Sequence, residues 1–433
     1  MPLLDKINQF DVHMCVTTIL LDLRKGVKVL RGTNLEHARV HNLRTVLEMV
    51  RLAGPISRAE IARRSGLTAQ TVSNLVTVLL DQRLLLESGH RQGPRGRSST
   101  LLELAADGAY SIGLDLDRGH LTGLLVDLSG QVRARVHREL SFPNPEAALD
   151  LMVSTVDELT ATVDALRVWG VGVGFPGPLR ISEGVVDNII NPEGFPGWEN
   201  VSVRALLGQR LEFDVFLENN ATAAAMGESY YGAGRNLESY FYAFLGVGLG
   251  GAIISAGRPF RGWQGNAGEI GFMPTLPLQD GDYLGRQFDL FKLSKQLAEE
   301  GNTASTYSEL AALLAEGNAT IEAWLDVAAQ GLAPMLVAAE YLLDPQAFVI
   351  GGAWHDEVTA ALIERLELQL PKLRSPLMPH HSQILRAELG SDAVARGVAT
   401  LPLHQLLSPF PTSHDDHSER RSHPYDHPLV AAR

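Results

Sequence analysis

Cysteine is almost missing from this chain: Cys15 stands alone among 433 residues. One thiol allows no internal disulfide and no cysteine-built metal cluster, and a reducing cytoplasm is the expected setting. Long apolar runs are lacking as well. None approaches the ~18–20 residues that a membrane-spanning helix needs, so no membrane partner is expected. The start has no secretory signal pattern, because Asp5, Lys6, Asn8 and Gln9 interrupt any apolar core and the stretch from Cys15 is short. Residues 1–33 read as an extension, with Met14 a second candidate initiator. Positive charge is also scarce: 37 basic against 50 acidic residues give a net −13. Taken whole, that balance argues against nucleic acid.

The average conceals an uneven distribution. Between Asn34 and Arg97 stand ten arginines and five acidic residues, so this segment carries +5 and leaves the remainder at −18. A small basic module on a large acidic body fits a DNA reader joined to a sensor; a solvated basic face fits the charge alone equally well. The local pattern adds more. Val40, Leu43, Val46, Leu47 and Val50 recur at a helical period, predicting a helix over 40–53 that Gly54-Pro55 stops. Ser57 precedes a second helix, and Glu60 three residues on completes a capping box. Ser65-Gly66 is a turn, and Thr68 caps a third helix over 69–82. Leu84 to Leu104 reads as two strands around a basic, Gly-rich loop.

That order, over 34–105, is the layout of a winged helix-turn-helix. Its recognition helix meets base edges through its first residues, here Thr68, Gln70, Thr71, Ser73 and Asn74. Gln and Asn amides pair with adenine, and hydroxyls bond bases or phosphates. Arg58, Arg63 and Arg64 are candidate phosphate contacts, with Arg95 and Arg97 reaching from the wing. The capped helices, polar face and basic wing together favour operator DNA over the alternative, a small helical protein-interaction domain.

From Ala109 the texture changes. Tyr110–Leu116 and Leu121–Gly130 read as paired strands, Glu146–Leu166 as a helix, and Val168–Phe175 as a buried strand entering a Gly/Pro loop. Phe213–Glu218 is a strand, Asn219–Tyr231 a helix, Tyr240–Ile254 a Gly-rich hairpin, 286–344 helical, and Phe348–Gly352 a strand and loop. Alternating strands and helices indicate α/β layers over 108–405. Residues 406–433 have the Pro-, His- and Ser-rich composition of a disordered tail. Their histidines (His414, His417, His423, His427) are read as solvated rather than as metal ligands.

By this point the motifs are familiar. Gly54-Pro-Ile-Ser-Arg-Ala-Glu-Ile-Ala-Arg and Gly66-Leu-Thr-Ala-Gln-Thr-Val-Ser-Asn are followed by four others in order. These are Gly172-Val-Gly-Phe-Pro-Gly-Pro, Glu218-Asn-Asn-Ala-Thr-Ala-Ala-Ala, Gly246-Val-Gly-Leu-Gly-Gly and Gly268-Glu-Ile-Gly. Together they resemble the ROK family of repressors and sugar kinases, over about 34–405. The resemblance implies an actin-like, two-lobed ATPase-type domain with a cleft between lobes, in a homodimer or homotetramer.

It also implies where this chain departs from a kinase. Sugar phosphorylation needs positioned phosphates, Mg²⁺ and a carboxylate that takes the hydroxyl proton. The family's first phosphate loop is Asp-x-Gly-Gly-Thr; here Asp115 is kept, but Asp117 and Arg118 stand where the glycines belong. Asp115 and Asp117 are therefore read as turn residues. The second loop keeps Gly246 and Gly248 with Val247 in place of a hydroxyl, and Gly351-Gly352 matches the adenosine-side loop or is merely a tight turn. Asn220 occupies the general-base position, and an amide is not basic enough to take the proton. Phe272 replaces the histidine of the family's zinc site, with no cysteine following, so neither zinc nor Mg-ATP is expected as a cofactor.

What the resemblance leaves intact is a sugar face of Pro176, Gly177, Asn219, Asn220 and Glu269. For Asn219 and Asn220 the alternative is a helix N-cap pair. The expected function is a DNA-binding regulator of sugar uptake or metabolism genes, acting as a repressor and controlled by a sugar or sugar-like ligand. The alternatives are an active or bifunctional sugar kinase and a ligand-independent DNA-binding scaffold.

Overall fold

Apolar residues at helical and strand spacing gather into separate cores, and those cores define the parts of the molecule. The computed structural model describes residues 35–92, 98–140, 143–182, 185–189, 197–198, 201–275, 283–302, 304 and 306–407. The extension 1–33, the wing-tip residues Arg95 and Arg97, and the tail from 408 lie outside them.

The first core belongs to the N-terminal module. Helix α1 (Leu35–Ala53) buries Leu43, Val46, Leu47 and Val50 and begins earlier than its apolar period foretold. Strand β1 (Ile56–Ser57) is too short for any alternation to announce it; it pairs Ile56 with Leu102. Helix α2 (Arg58–Ser65) starts where the Ser57 hydroxyl accepts from the Glu60 N–H at 3.3 Å and ends at Gly66, whose φ of 71° is left-handed. The other half of the expected capping box is not formed, because the Glu60 carboxylate turns instead to Arg63 and Arg64. Helix α3 (Ala69–Asp81) is capped by Thr68, as expected, and buries Val72, Leu75, Val76 and Leu79. Strands β2 (Leu85–Gln92) and β3 (Ser98–Leu104) form the wing, in a sheet ordered β1-β3-β2.

The rest is one plan used twice. In the first lobe β4 (Tyr110–Leu116), β5 (His120–Asp127) and β6 (Val132–Glu139) meander antiparallel. Strands β7 (Val168–Phe175) and β10 (Val215–Asn219) then extend the sheet in parallel on the other side of β4, giving the order β10-β7-β4-β5-β6. Helix α4 (Pro145–Thr160) precedes β7, and the small hairpin β8 (Leu179–Ser182) and β9 (Val185–Ile189) and helix α5 (Val203–Arg210) lie between β7 and β10. Helix α6 (Asn220–Tyr231) leads to the second lobe, where β11 (Tyr240–Leu245), β12 (Leu249–Ser255) and β13 (Arg258–Pro259) meander. Helices α7 (Leu290–Glu299), α8 (Tyr307–Ala315) and α9 (Ala319–Leu343) follow, then β14 (Ala347–Gly352), α10 (Asp356–Leu373) and β15 (Gln383–Arg386). The second sheet, β13-β12-β11-β14-β15, repeats the order of the first.

One sequence expectation needs correction and another gains detail. The helix expected over 146–166 stops at Thr160, where the Thr160 and Thr162 hydroxyls bond back to the Val156 and Leu159 carbonyls. The helical stretch 286–344 is three helices behind a 3₁₀ turn over Leu284–Phe288. Helix α9 is long and apolar enough to cross a membrane by length and composition, yet Leu325, Ala329, Leu332 and Leu336 are fully buried in the second lobe's core.

Helix α11 (Ala393–Leu407) returns to pack on α6 and on β4 and β7 of the first sheet. The fit is close: a Cβ on Gly397 would come within 1.7 Å of the Ala223 carbonyl oxygen. Further along, Leu403 joins Ala109 and Leu128 in the core of the N-terminal module. The two helices at the lobe boundary thus reach the module directly.

Candidate ligand cleft and DNA-reading face

Strand β10 delivers Glu218 and Asn219 side by side, and the start of α6 adds Asn220. The Asn219 Oδ1 accepts from the N–H groups of Ala221 and Thr222 at 2.8 and 3.2 Å, so it does cap the helix. Its Nδ2 donates to Glu269 Oε1 at 3.1 Å, so the same side chain also serves the cleft. Burial pushes the Glu269 carboxyl up to about 7. Gly177 closes this corner, since a Cβ there would lie 2.1 Å from Glu269 Oε1 and 2.3 Å from Asn219 Nδ2. Only glycine lets the loop backbone approach so near.

Pro176, Gly177, Asn219, Asn220 and Glu269 all line one cavity of about 280 Å³ between the lobes. Sequence reasoning missed two kinds of contributor. Behind the wall, the buried Glu218 carboxylate accepts from Arg261 Nη1 and from the Asn219 N–H, both at 2.9 Å. This locks β10 to the loop that carries Glu269. In front, the Phe272 and Tyr283 rings lie 5.7 Å apart, tilted by 34°, and the Arg286 guanidinium lies 4.6 Å over the Tyr283 ring. Such rings offer a flat apolar surface beside the polar corner.

The opposite wall is built differently. Asp115 is buried and is not part of the cavity lining; it meets His120 Nε2 at 3.2 Å. Burial pulls the His120 imidazole down, but the Asp115 and Asp117 carboxylates outweigh it and hold it raised to about 9. The turn between is closed on itself. The Asp117 N–H donates to the His120 carbonyl at 3.0 Å, and the Arg118 N–H donates to Asp117 Oδ1 at 2.7 Å.

Gly246 and Gly248 do line the cavity, yet the Gly246 N–H donates to the Gly248 carbonyl at 3.0 Å. Trp354 Nε1 donates to the Gly246 carbonyl at 2.8 Å. Gly351 and Gly352 end β14 away from the cavity, opposite Phe244 and Leu245. A Cβ at Gly352 would meet the Leu245 carbonyl oxygen at 2.5 Å, which accounts for that glycine by packing.

On the N-terminal module, Thr68, Gln70 and Asn74 are exposed, while Thr71 and Ser73 are half-buried. Thr77, which sequence reasoning passed over, extends the exposed row by one helical turn. Gln70 Nε2 donates to Asn74 Oδ1 at 3.0 Å, and Thr68 shares a hydroxyl contact with Thr71 at 2.8 Å. The nearby arginines are engaged: Arg63 and Arg64 both bond Glu60, and Arg58 bonds Glu87 at 3.1 Å. The two guanidinium partners hold the Glu60 carboxyl down at about 2. These exposed pairs contribute little to stability.

A model of the ROK family matches residues 111–405. The chain belongs to the ROK family. It is 29% identical over 234 residues to the xylose repressor of Bacillus spizizenii, an overlap that takes in 54% of this chain and 60% of that one. The chain therefore spans less than two thirds of that relative's length. Among solved structures, a ROK-family transcriptional regulator described as a homologue of the E. coli MLC protein superposes with a TM-score of 0.69 at 20% identity. It covers 86% of this chain and 97% of its own. A ROK-family glucokinase from Streptomyces griseus, solved with glucose and AMPPNP, superposes with a TM-score of 0.59 at 24% identity, covering 68% of this chain and 99% of its own. The duplicated sheet plan is thus the actin-like fold that ROK regulators and ROK kinases share.

Proposed function

We propose that the chain is a sugar-responsive DNA-binding repressor of sugar uptake or metabolism genes, acting in the cytoplasm as a homodimer or homotetramer. A two-fold assembly presents two recognition helices to a two-fold operator. One observation carries the reading: within a single cavity, the corner of Gly177, Asn219 and Glu269 is open to a ligand, while the two residues that stand in place of the phosphate-loop glycines, Asp117 and Arg118, have their N–H groups already engaged within the turn. Phosphate binding depends on such amides. Asn220 accepts and donates hydrogen bonds but takes no proton at neutral pH. Phe272 brings no donor atom to the family's zinc position, so the donor set fits no zinc ion. The repressor name of the Bacillus relative supports the same reading.

Helix α6 supplies a route from ligand to DNA. It begins at Asn220 in the cleft and ends at Tyr230 and Tyr231, where the Arg51 guanidinium of α1 lies 4.7 Å over the Tyr230 ring. A sugar that prefers one setting of α6 shifts the seat of the reading module. The test pairs thermal shift with ADP release across hexoses, pentoses and N-acetylhexosamines. A sugar that raises the melting temperature without ADP release supports the reading. ADP release that Asn220→Ala abolishes replaces it with the kinase, and no sugar response at all replaces it with a ligand-independent scaffold.

A further inference from the structure

A second cavity, of about 400 Å³, lies at the joint between the reading module and the sensor. Its size falls in the range of small-molecule sites. Its walls come from α1, β3, the turn before β6, the end of α6 and α11. Three arginines line it: Arg51, Arg235 and Arg396. Arg51 is satisfied, with both ends of its fork on Glu48 at 2.7 Å. Arg235 and Arg396 form no ion pair among the described residues, and the Arg396 Nε is buried without a hydrogen-bond partner. Glu103 also faces the space with no ion pair among the described residues.

A guanidinium with a buried, unpartnered Nε, that of Arg396, is unexpected here. The chain has 50 acidic residues for 37 basic ones, so carboxylates are in surplus. A planar guanidinium matches a phosphate or carboxylate through two parallel N–H donors. Tyr230, Tyr231 and Glu103 add groups that bond hydroxyls. We propose that this joint is a second effector site, taking a small hydroxylated anion, a phosphate monoester or a carboxylate, held by Arg235 and Arg396. Because its walls belong to both the reader and the sensor, an occupant bears directly on how the reader is seated. The site is separate from the interlobe cleft, and the two share no lining residue.

Isothermal titration of the full chain with glucose 6-phosphate, gluconate, inorganic phosphate and glucose tests this. Binding of glucose 6-phosphate or of gluconate, weakened at least about tenfold in Arg235→Gln/Arg396→Gln, is the expected result; which of the two binds names the anion. Single Arg235→Gln, at an exposed position, keeps the test valid if the double variant melts early. The same binding must survive Gly177→Ala, which obstructs the cleft. The proposal is overturned if neither organic anion binds, if the arginine variants bind as well as the native chain, or if Gly177→Ala abolishes the binding. In that last case the anion sits in the cleft, and the sugar reading stands while this one fails.

Discussion

The two walls of the interlobe cleft face the same cavity and have opposite fates. On one wall Asn219 and Glu269 are held by a buried support, the Glu218–Arg261 pair, and the glycine at 177 keeps space open in front of them. On the other, Asp117 and His120 close the turn that a phosphate would need, and a buried Asp115–His120 contact lies beneath. A binding surface requires placed hydrogen-bonding groups; group transfer requires, in addition, free amides, a metal and a base. Under the proposed function, the second is lost while the first is kept.

Four substitutions sharpen or break that contrast. The largest effect is expected from Gly177→Ala, whose methyl must displace both Glu269 and Asn219. Overpacking of this kind costs about 1–3 kcal/mol, so sugar affinity falls roughly tenfold to a hundredfold by calorimetry. DNA binding without sugar stays as it was.

Glu269→Gln is next, at about tenfold, since a charge-assisted acceptor becomes a neutral one. It also removes a pH dependence. A sugar hydroxyl donating to Glu269 favours the ionised form, so native affinity climbs as pH rises through about 7 and then levels off. In the sugar-free protein the sign is opposite. With its pKa raised by burial, Glu269 contributes stability at low pH that is lost as pH rises through about 7.

Asp115→Asn probes the other wall and should leave sugar affinity within about twofold, because Asp115 is not part of the cavity lining. Its mark is on thermal stability. The raised His120 contributes stability below its ordinary range that disappears as pH climbs through about 9, and the substitution flattens that slope. The smallest expected effect is none: Asn220→Asp restores a base, yet ADP release stays at background because the Asp117 and Arg118 N–H groups remain engaged within their own turn. Turnover in that variant would mean the phosphate wall is less closed than its hydrogen bonds indicate.

Local chemistry was legible in the sequence, and distant chemistry was not. Ser57 and Thr68 each cap the helix that their position announced, and Asn219 caps its helix as the alternative reading of that pair had it. The glycines at 246 and 248 reach the cavity that their motif implied. Arg261 and Glu218 are 43 residues apart and no periodicity links them, so the support behind Asn219 appears only in three dimensions. The same holds for Arg51 over Tyr230, which joins two elements that read as unrelated helices. Glu60 is instructive in the other direction. The spacing suited a capping box, but two arginines one turn ahead compete for the carboxylate and win.

The central claim is that a sugar in the cleft controls the grip on DNA. Fluorescence anisotropy of the full chain on a fragment of its own promoter region, with and without a panel of pentoses and hexoses, measures it directly. The account predicts that at least one sugar changes DNA affinity by about tenfold, within the usual range of coupling between sites, and that Gly177→Ala binds the fragment normally but no longer responds. Identical affinity with every sugar and with none would contradict it.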